Sequence, residues 1–284
     1  MPESIGLIER AAALLRERGA TQVDAAPPPP PPADAKGAGD AELILDPLHL
    51  AQHRIALPFE KRSRTVEEFR LVKRNLMNLG TRDPSKGDKR PNRLIMVTSA
   101  RAAEGKTFVS INLALAFASE TDGEALLIDT DTERPMLPEV FGIPVDKGIV
   151  DVLAGRLELS DVLLRTSMPK LAILPSGLGG PHVAELFSGR RMSALLTKLT
   201  EHYHDRFIII DTPPCLISSE AASLAPLVDQ IVLVVEAHRT QEHEIQSGLT
   251  MLSSCANISL LLNKSDATAS DDFGPYGYYS SSNR

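Results

Sequence analysis

Tryptophan is absent from this chain, and all aromatic residues together make up 4% of its 284 positions. A buried core must therefore be assembled from aliphatic side chains. Only 2 cysteines are present, Cys215 and Cys255, too few and too far apart for a disulfide framework or a thiolate metal site, and both are expected to be buried, reduced thiols. Uninterrupted apolar runs of about 18 residues, the length needed to cross a bilayer, are also missing. The N-terminal stretch MPESIGLIERAAALLRER carries acidic residues early and has no clean apolar segment with a cleavage site. It does not read as a signal peptide, so a cytoplasmic protein is expected. A net charge of -7 argues against general nucleic-acid binding, and no nucleic-acid partner is expected. The basic residues that do occur are concentrated between Glu60 and Arg93, where Lys and Arg far outnumber Asp and Glu. That segment is either a solvated face or a docking surface.

Four parts are expected along the chain. Residues 1–19 place Ile5, Ile8, Ala12 and Leu15 at helical spacing with charges around the rest of the wheel, which predicts a short amphipathic helix. Residues 20–59 contain six consecutive prolines and read as an extended linker. From 60 to 266 the pattern is that of an α/β domain. RLIMVTSA, ALLIDTD, KLAILPS, RFIIIDTPP, QIVLVVEA and ISLLLNK have the apolar character of strands buried on both faces. They alternate with the helical candidates TFVSINLALAFASE, PHVAELFSGRRMSALLTKLTEHY and TQEHEIQSGLTMLSSC. Such alternation implies right-handed crossovers and a mostly parallel sheet with helices on both faces. Residues 267–284 form a polar tail in which Tyr276, Tyr278 and Tyr279 cluster, with no apolar periodicity to bury them.

The first strand leads into Ala100-Arg101-Ala102-Ala103-Glu104-Gly105-Lys106-Thr107. This fits the phosphate-loop pattern G-x-x-x-x-G-K-[ST] except at its first position, where Ala stands for Gly. The chemistry requires backbone N–H groups curled around a phosphate at a helix N-terminus, a lysine to neutralise it and a hydroxyl for Mg²⁺. The nucleotide is expected to contact Ala102, Ala103, Glu104, Gly105, Lys106, Thr107 and Phe108, with the alanines at loop positions of negative φ. Two other strand ends carry carboxylates: Asp129 and Asp131 in LLIDTDTERP, and Asp211 in FIIIDTPP. Ligands of parallel sheets gather at the carboxyl edge, and hard oxygen ligands there suit Mg²⁺. Asn263-Lys264-Ser265-Asp266 fits the N-K-x-D pattern of guanine recognition and makes Asn263 a candidate base contact. Asp211 is followed by Thr-Pro-Pro, however, and not by the D-x-x-G of a GTPase switch. GTP is thus the lesser alternative to ATP.

In their order along the chain, the EGKT loop with NLALAFA, the acidic LLIDTDTERP, FIIIDTPP and the terminal tyrosine cluster resemble the bacterial tyrosine autokinases (BY-kinases) that regulate exopolysaccharide synthesis and export. The similarity covers roughly residues 60–284 and is greatest to the exosortase-associated subgroup, with its short N-terminal helix, Pro-rich spacer and YGYY-like tail. The resemblance implies a P-loop NTPase fold and an ATP- and Mg²⁺-dependent protein-tyrosine autokinase. Lys106 would bind the β- and γ-phosphates, and Thr107, Asp131 and Asp211 would hold Mg²⁺. Asp129 would orient the acceptor tyrosine or take its proton, and Tyr276, Tyr278 and Tyr279 would be the acceptors. The family's E-x-x-R-x-x-R self-association motif corresponds here to Glu67, Arg70 and Lys73. Lysine at the last position keeps the charge and loses the bidentate fork. Implied partners are further copies of the chain, a membrane protein of the chain-length-determinant (polysaccharide co-polymerase) type as activator, and a protein-tyrosine phosphatase. The protein would then work at the inner face of the cell membrane, held there by its partner.

The phosphate loop departs from the family's usual P-G-E-G-K by having Ala102 and Ala103. Arg101 occupies the position of the signature lysine in partition and septum-positioning ATPases of the same superfamily. Two alternatives follow: a non-kinase ATPase switch of that type, for which a tyrosine tail would have no use, and a nucleotide-binding pseudo-kinase scaffold.

Overall fold

The computed structural model describes residues 42–55, 57–58, 63–79, 93–119, 123–180, 183–202 and 206–265. The expected N-terminal helix, the proline run and the tyrosine cluster lie outside the described residues.

Among the described residues, seven strands form one sheet in the order β3-β4-β2-β5-β1-β6-β7. They are β1 (Leu94–Ser99), β2 (Glu124–Asp129), β3 (Leu164–Arg165), β4 (Leu171–Leu174), β5 (Arg206–Asp211), β6 (Gln230–Glu236) and β7 (Ile258–Asn263). All neighbours are parallel except β3, which pairs antiparallel with β4. Six of the strands are those expected from the apolar runs. The two-residue β3 is too short to show a pattern of its own. Alternation within the central strands divides the core between the two sheet faces. Ile95, Val97, Leu127 and Ile209 point to one face, and Leu94, Met96, Leu126, Ile128, Ile208 and Ile210 to the other.

On the first face lies helix α3 (Lys106–Ala118), with α1 (Pro47–Gln52), α2 (Arg64–Leu79) and α4 (Leu137–Phe141) around it. Almost every side chain of α3 is buried, because the sheet covers one side and α2 part of the other. Its Phe117 stacks on Phe207 of β5 with ring centroids 3.9 Å apart. The second face is covered by α5 (Ile149–Ala154), α7 (Val183–Ser188), α8 (Arg190–His202), α9 (Glu220–Leu224) and α10 (Glu242–Met251), with the short α6 (Leu159–Val162) beside them. The single helix expected from PHVAELFSGRRMSALLTKLTEHY is two helices broken at Gly189. A parallel sheet with helices on both faces is the architecture of a P-loop NTPase.

Two expectations need correction. The linker assigned to 20–59 does not extend through 42–58. There, Leu43 bridges to Thr166, and Leu45, Leu50, Ile55 and Leu57 are buried in the core. The proline composition that suggested a linker stops before this stretch, and Pro47 sits at the first turn of α1 with Asp46 as N-cap, where a missing N–H costs nothing. Second, Lys73 is expected with Glu67 and Arg70 in the self-association motif. Its side chain is 5% exposed and donates to the Ala116 carbonyl in the last turn of α3. One helical turn beyond Arg70, it faces inward and complements the negative end of that helix. Glu67 and Arg70 remain outside, paired with each other at 2.6 Å.

Candidate active site

The carboxyl edges of β1, β2 and β5 meet at the start of α3. Strand β5 lies between β1 and β2, and Asp129 is in register with Asp211. Local hydrogen bonds fix this corner: Thr212 and Thr130 donate to Val97 O and Asp211 O, and Thr98 donates to Pro213 O. The apolar runs before Asp129 and Asp211 therefore do more than build the core, since they set both carboxylates at one height against the phosphate loop.

Within that corner Lys106 Nζ lies 2.8 Å from Asp131 Oδ2. Thr107 Oγ1 donates to Asp211 Oδ2 at 2.6 Å, and the single Ser110 hydroxyl proton is shared between Asp211 Oδ1 at 3.1 Å and the Lys106 carbonyl at 2.9 Å. Asp129 Oδ1 accepts the Asp131 amide at 2.9 Å, while Asp129 Oδ2 is buried with no hydrogen-bond partner. Burial, joined by repulsion from Asp211, pushes the Asp129 carboxyl well above the usual carboxylate range. Burial also raises Asp211, against the opposing pull of Lys106 and the Thr107 and Ser110 hydroxyls. For Lys106, burial favours the neutral amine, but Asp211 and Asp131 outweigh it and hold the ammonium charged. Lys106, Thr107, Asp129, Asp131 and Asp211 are thus brought together as the sequence suggested. Ser110 was not singled out, although it stands one helical turn after Lys106 on the same face as the loop and could have been found by that spacing.

The phosphate loop has its own supports. Glu104 is fully buried and accepts from the Arg101 amide at 2.8 Å and from the Thr240 hydroxyl. Asn263 Nδ2 donates to Glu104 O at 2.8 Å, and Lys264 Nζ donates to Ala103 O at 2.7 Å. Gly105 has φ +96°, which favours glycine, and a Cβ there would come within 2.1 Å of Asn263 Nδ2 and displace the amide that donates to Glu104 O. Ala103 corrects the expectation of negative φ: it adopts +67°, the left-handed region that a Cβ disfavours. Ala102 lies in the turn before it. The Phe108 ring packs edge-on against Phe69 of α2, 5.8 Å between centroids, so only its backbone can serve the loop. Arg101 is held within the chain by Glu244 of α10 at 3.4 Å. Beside Asp131 an open cleft of about 680 Å³ is lined by Thr132, Glu133, Gly179, Gly180, Glu185 and Glu220.

The Asp131 and Asp211 carboxylates with the Thr107 hydroxyl suit a hard divalent cation, and the curled loop with Lys106 suits a phosphate chain. Among the described residues no three Asp, Glu, His or Cys side chains are arranged to cage a metal. Mg²⁺ needs no such cage, because it takes one or two protein oxygens and completes its shell with phosphate and water.

These features define a P-loop nucleotide site, and a family model described as an AAA domain matches residues 92–263. Tyrosine-protein kinase CpsD of Streptococcus pneumoniae is 30% identical over 196 residues, 68% of this chain and 84% of that protein. The crystal structure of the VpsO kinase domain superposes with a TM-score of 0.59 at 30% identity, covering 70% of this chain and 95% of that one. The septum site-determining protein MinD of Pyrococcus horikoshii OT3, solved with Mg-ADP, superposes with a TM-score of 0.51 at 27% identity, covering 60% of this chain and 69% of that one. The chain belongs to the AAA-domain family and, within it, to the bacterial tyrosine-protein kinases.

Proposed function

We propose that the protein transfers the γ-phosphoryl group of ATP to Tyr276, Tyr278 and Tyr279 of its own C-terminal tail, between subunits of an oligomer, and that this cycle regulates exopolysaccharide synthesis and export. The observation that carries the proposal is the unpartnered oxygen of Asp129 beside the Lys106, Thr107 and Asp211 cluster. When bound, ATP supplies the transferable phosphoryl group and Mg²⁺ supplies countercharge to its oxygens. Lys106, now paired with Asp131, exchanges that partner for phosphate. Thr107, Asp131 and Asp211 would hold the ion. Asp129, with one oxygen uncommitted and a raised proton affinity, orients the tyrosine hydroxyl and takes its proton as the phenolic oxygen attacks phosphorus and ADP departs. Phosphoryl transfer asks mainly for positioning and charge neutralisation, which these groups provide.

Glu67 and Arg70, both about half exposed, are the residues we assign to the subunit contact. A membrane protein of the chain-length-determinant type would activate the kinase and hold it at the inner face of the membrane, and a tyrosine phosphatase would reset the tail. ATP is the assigned nucleotide: Asn263 and Lys264 of the N-K-x-D pattern are engaged by the phosphate loop, and Asp266 lies outside the described residues. The test is incubation of purified protein with Mg²⁺ and ATP, with and without an activator fragment, followed by mass spectrometry of the C-terminal peptide. Phosphate on the tail tyrosines that disappears in Lys106→Met is the expected result. An unmodified tail at high protein concentration with activator present would overturn it.

A further inference from the structure

We propose that Lys264 and Glu236 are positioning residues that hold the phosphate loop in its binding shape by fixing Ala103 in the left-handed conformation, a role that rests on the nucleotide site proposed above. The two residues stand at the ends of the last parallel strand pair, where Glu236 is in register with Asn263. Lys264 Nζ reaches Glu236 Oε1 at 3.1 Å and Ala103 O at 2.7 Å. The neighbouring Asn263 takes the next carbonyl, Glu104 O, at 2.8 Å.

The consequence for the loop follows from peptide planarity. In a trans peptide the C=O of one residue and the N–H of the next point in opposite directions. Turning the Ala103 carbonyl toward Lys264 therefore aims the Glu104 amide the other way, and turning the Glu104 carbonyl toward Asn263 does the same for the Gly105 amide. A phosphate cradle needs successive amides directed to one side. The contacts from Asn263 and Lys264 thus set the direction of two donors.

Ala103 makes this support necessary. At φ +67° its Cβ opposes the conformation, and the residue is exposed, so no surrounding packing holds it there. Strained backbone of this kind persists where its surroundings over-determine it. Lys264 is itself at φ +57°, and His238, in the turn between β6 and α10, is at +61°. The Ala237 amide in that turn donates to Asn263 O at 2.9 Å, and Thr240 from the same turn donates to Glu104. The far end of the sheet is therefore joined to the phosphate loop through side chains from both β6–α10 and β7.

The test is a cycle of variants in the full chain, with Mg²⁺·ADP binding measured by fluorescent-analogue displacement, so that it does not depend on kinase activity. Lys264→Met should weaken ADP binding about fivefold. In an Ala103→Gly background the same change should cost less than about twofold, since glycine adopts positive φ without help. Glu236→Gln should follow Lys264→Met at smaller size, and Lys264→Arg, which keeps a charged donor, should stay close to the parent. Equal losses in both backgrounds would overturn the proposal, because they would mean that Lys264 touches the nucleotide rather than the loop. No loss in Lys264→Met would overturn it as well. ADP binding that follows this pattern in a protein that leaves its tail unmodified would support the positioning role and remove only the kinase assignment.

Discussion

The ends of β5 and β2 carry the same residue in register, yet Asp211 and Asp129 are treated differently by the fold. Asp211 has both oxygens occupied, one by Thr107 and one by Ser110. Asp129 has one oxygen occupied by a backbone amide and one buried with no partner. A saturated carboxylate is fixed in place and suits an anchor for the phosphate loop and its metal. An unsaturated one is a poor structural element but is available to a substrate proton. Similar burial and a shared I-D-T context thus give two hydrogen-bonding states, decided by whether α3 places hydroxyls opposite.

Substitutions can break this contrast. Asp129→Asn should lower phosphotransfer by about a hundredfold or more, the scale of a lost general base, while leaving ADP affinity within a few-fold. Asp211→Asn should instead weaken Mg²⁺-dependent ADP binding and lower the melting temperature together, because the neutral amide loses both charge-assisted hydrogen bonds. Calorimetric titration beside thermal unfolding separates these outcomes.

Acidity sharpens the contrast further. A carboxyl whose native pKa is raised contributes stability that is present below the ordinary carboxylate value of 3.8 and is lost as pH rises through the native value. The ligand-free protein should therefore lose stability across that window as Asp129 ionises, and Asp129→Asn should flatten the decline in melting temperature against pH. Asp211, assigned to Mg²⁺, is raised by burial as well, so Mg²⁺ binding, which requires its ionised form, should release protons and tighten with pH.

Ser110→Ala is expected to give a smaller effect, about 1–2 kcal/mol of stability from one hydrogen bond to a charged group, measured by urea unfolding. Smaller still is Lys73→Met, which loses one donor to the end of α3 and should cost about 1 kcal/mol or less without altering self-association in sedimentation experiments. Arg70→Ala, by contrast, should weaken self-association with little change in stability.

Much of this site was legible in the sequence, because buried parallel strands are continuous apolar runs and the residues that follow them fall at one edge. The EGKT loop and the three aspartates were found in that way. Other features depend on relations between segments that periodicity does not carry. The inward turn of Lys73 depends on where α3 passes beneath α2, and nothing in E-x-x-R-x-x-K distinguishes that lysine from Arg70. Residues 42–58 looked like linker because they follow the proline run and their apolar residues keep no single period, although Leu45, Leu50, Ile55 and Leu57 are buried in the core and Leu43 packs partly buried against it. The left-handed Ala103 broke a general preference for negative φ, as strained residues at binding loops do.

The central claim is the division of labour between the two aspartates, and single-turnover phosphate transfer at saturating Mg²⁺·ATP tests it most directly. Asp129→Asn should bind nucleotide within about threefold of the parent protein and transfer about a hundredfold more slowly. Transfer within about tenfold of the parent, or a loss of binding as large as the loss of transfer, would contradict the assignment of Asp129 as proton acceptor.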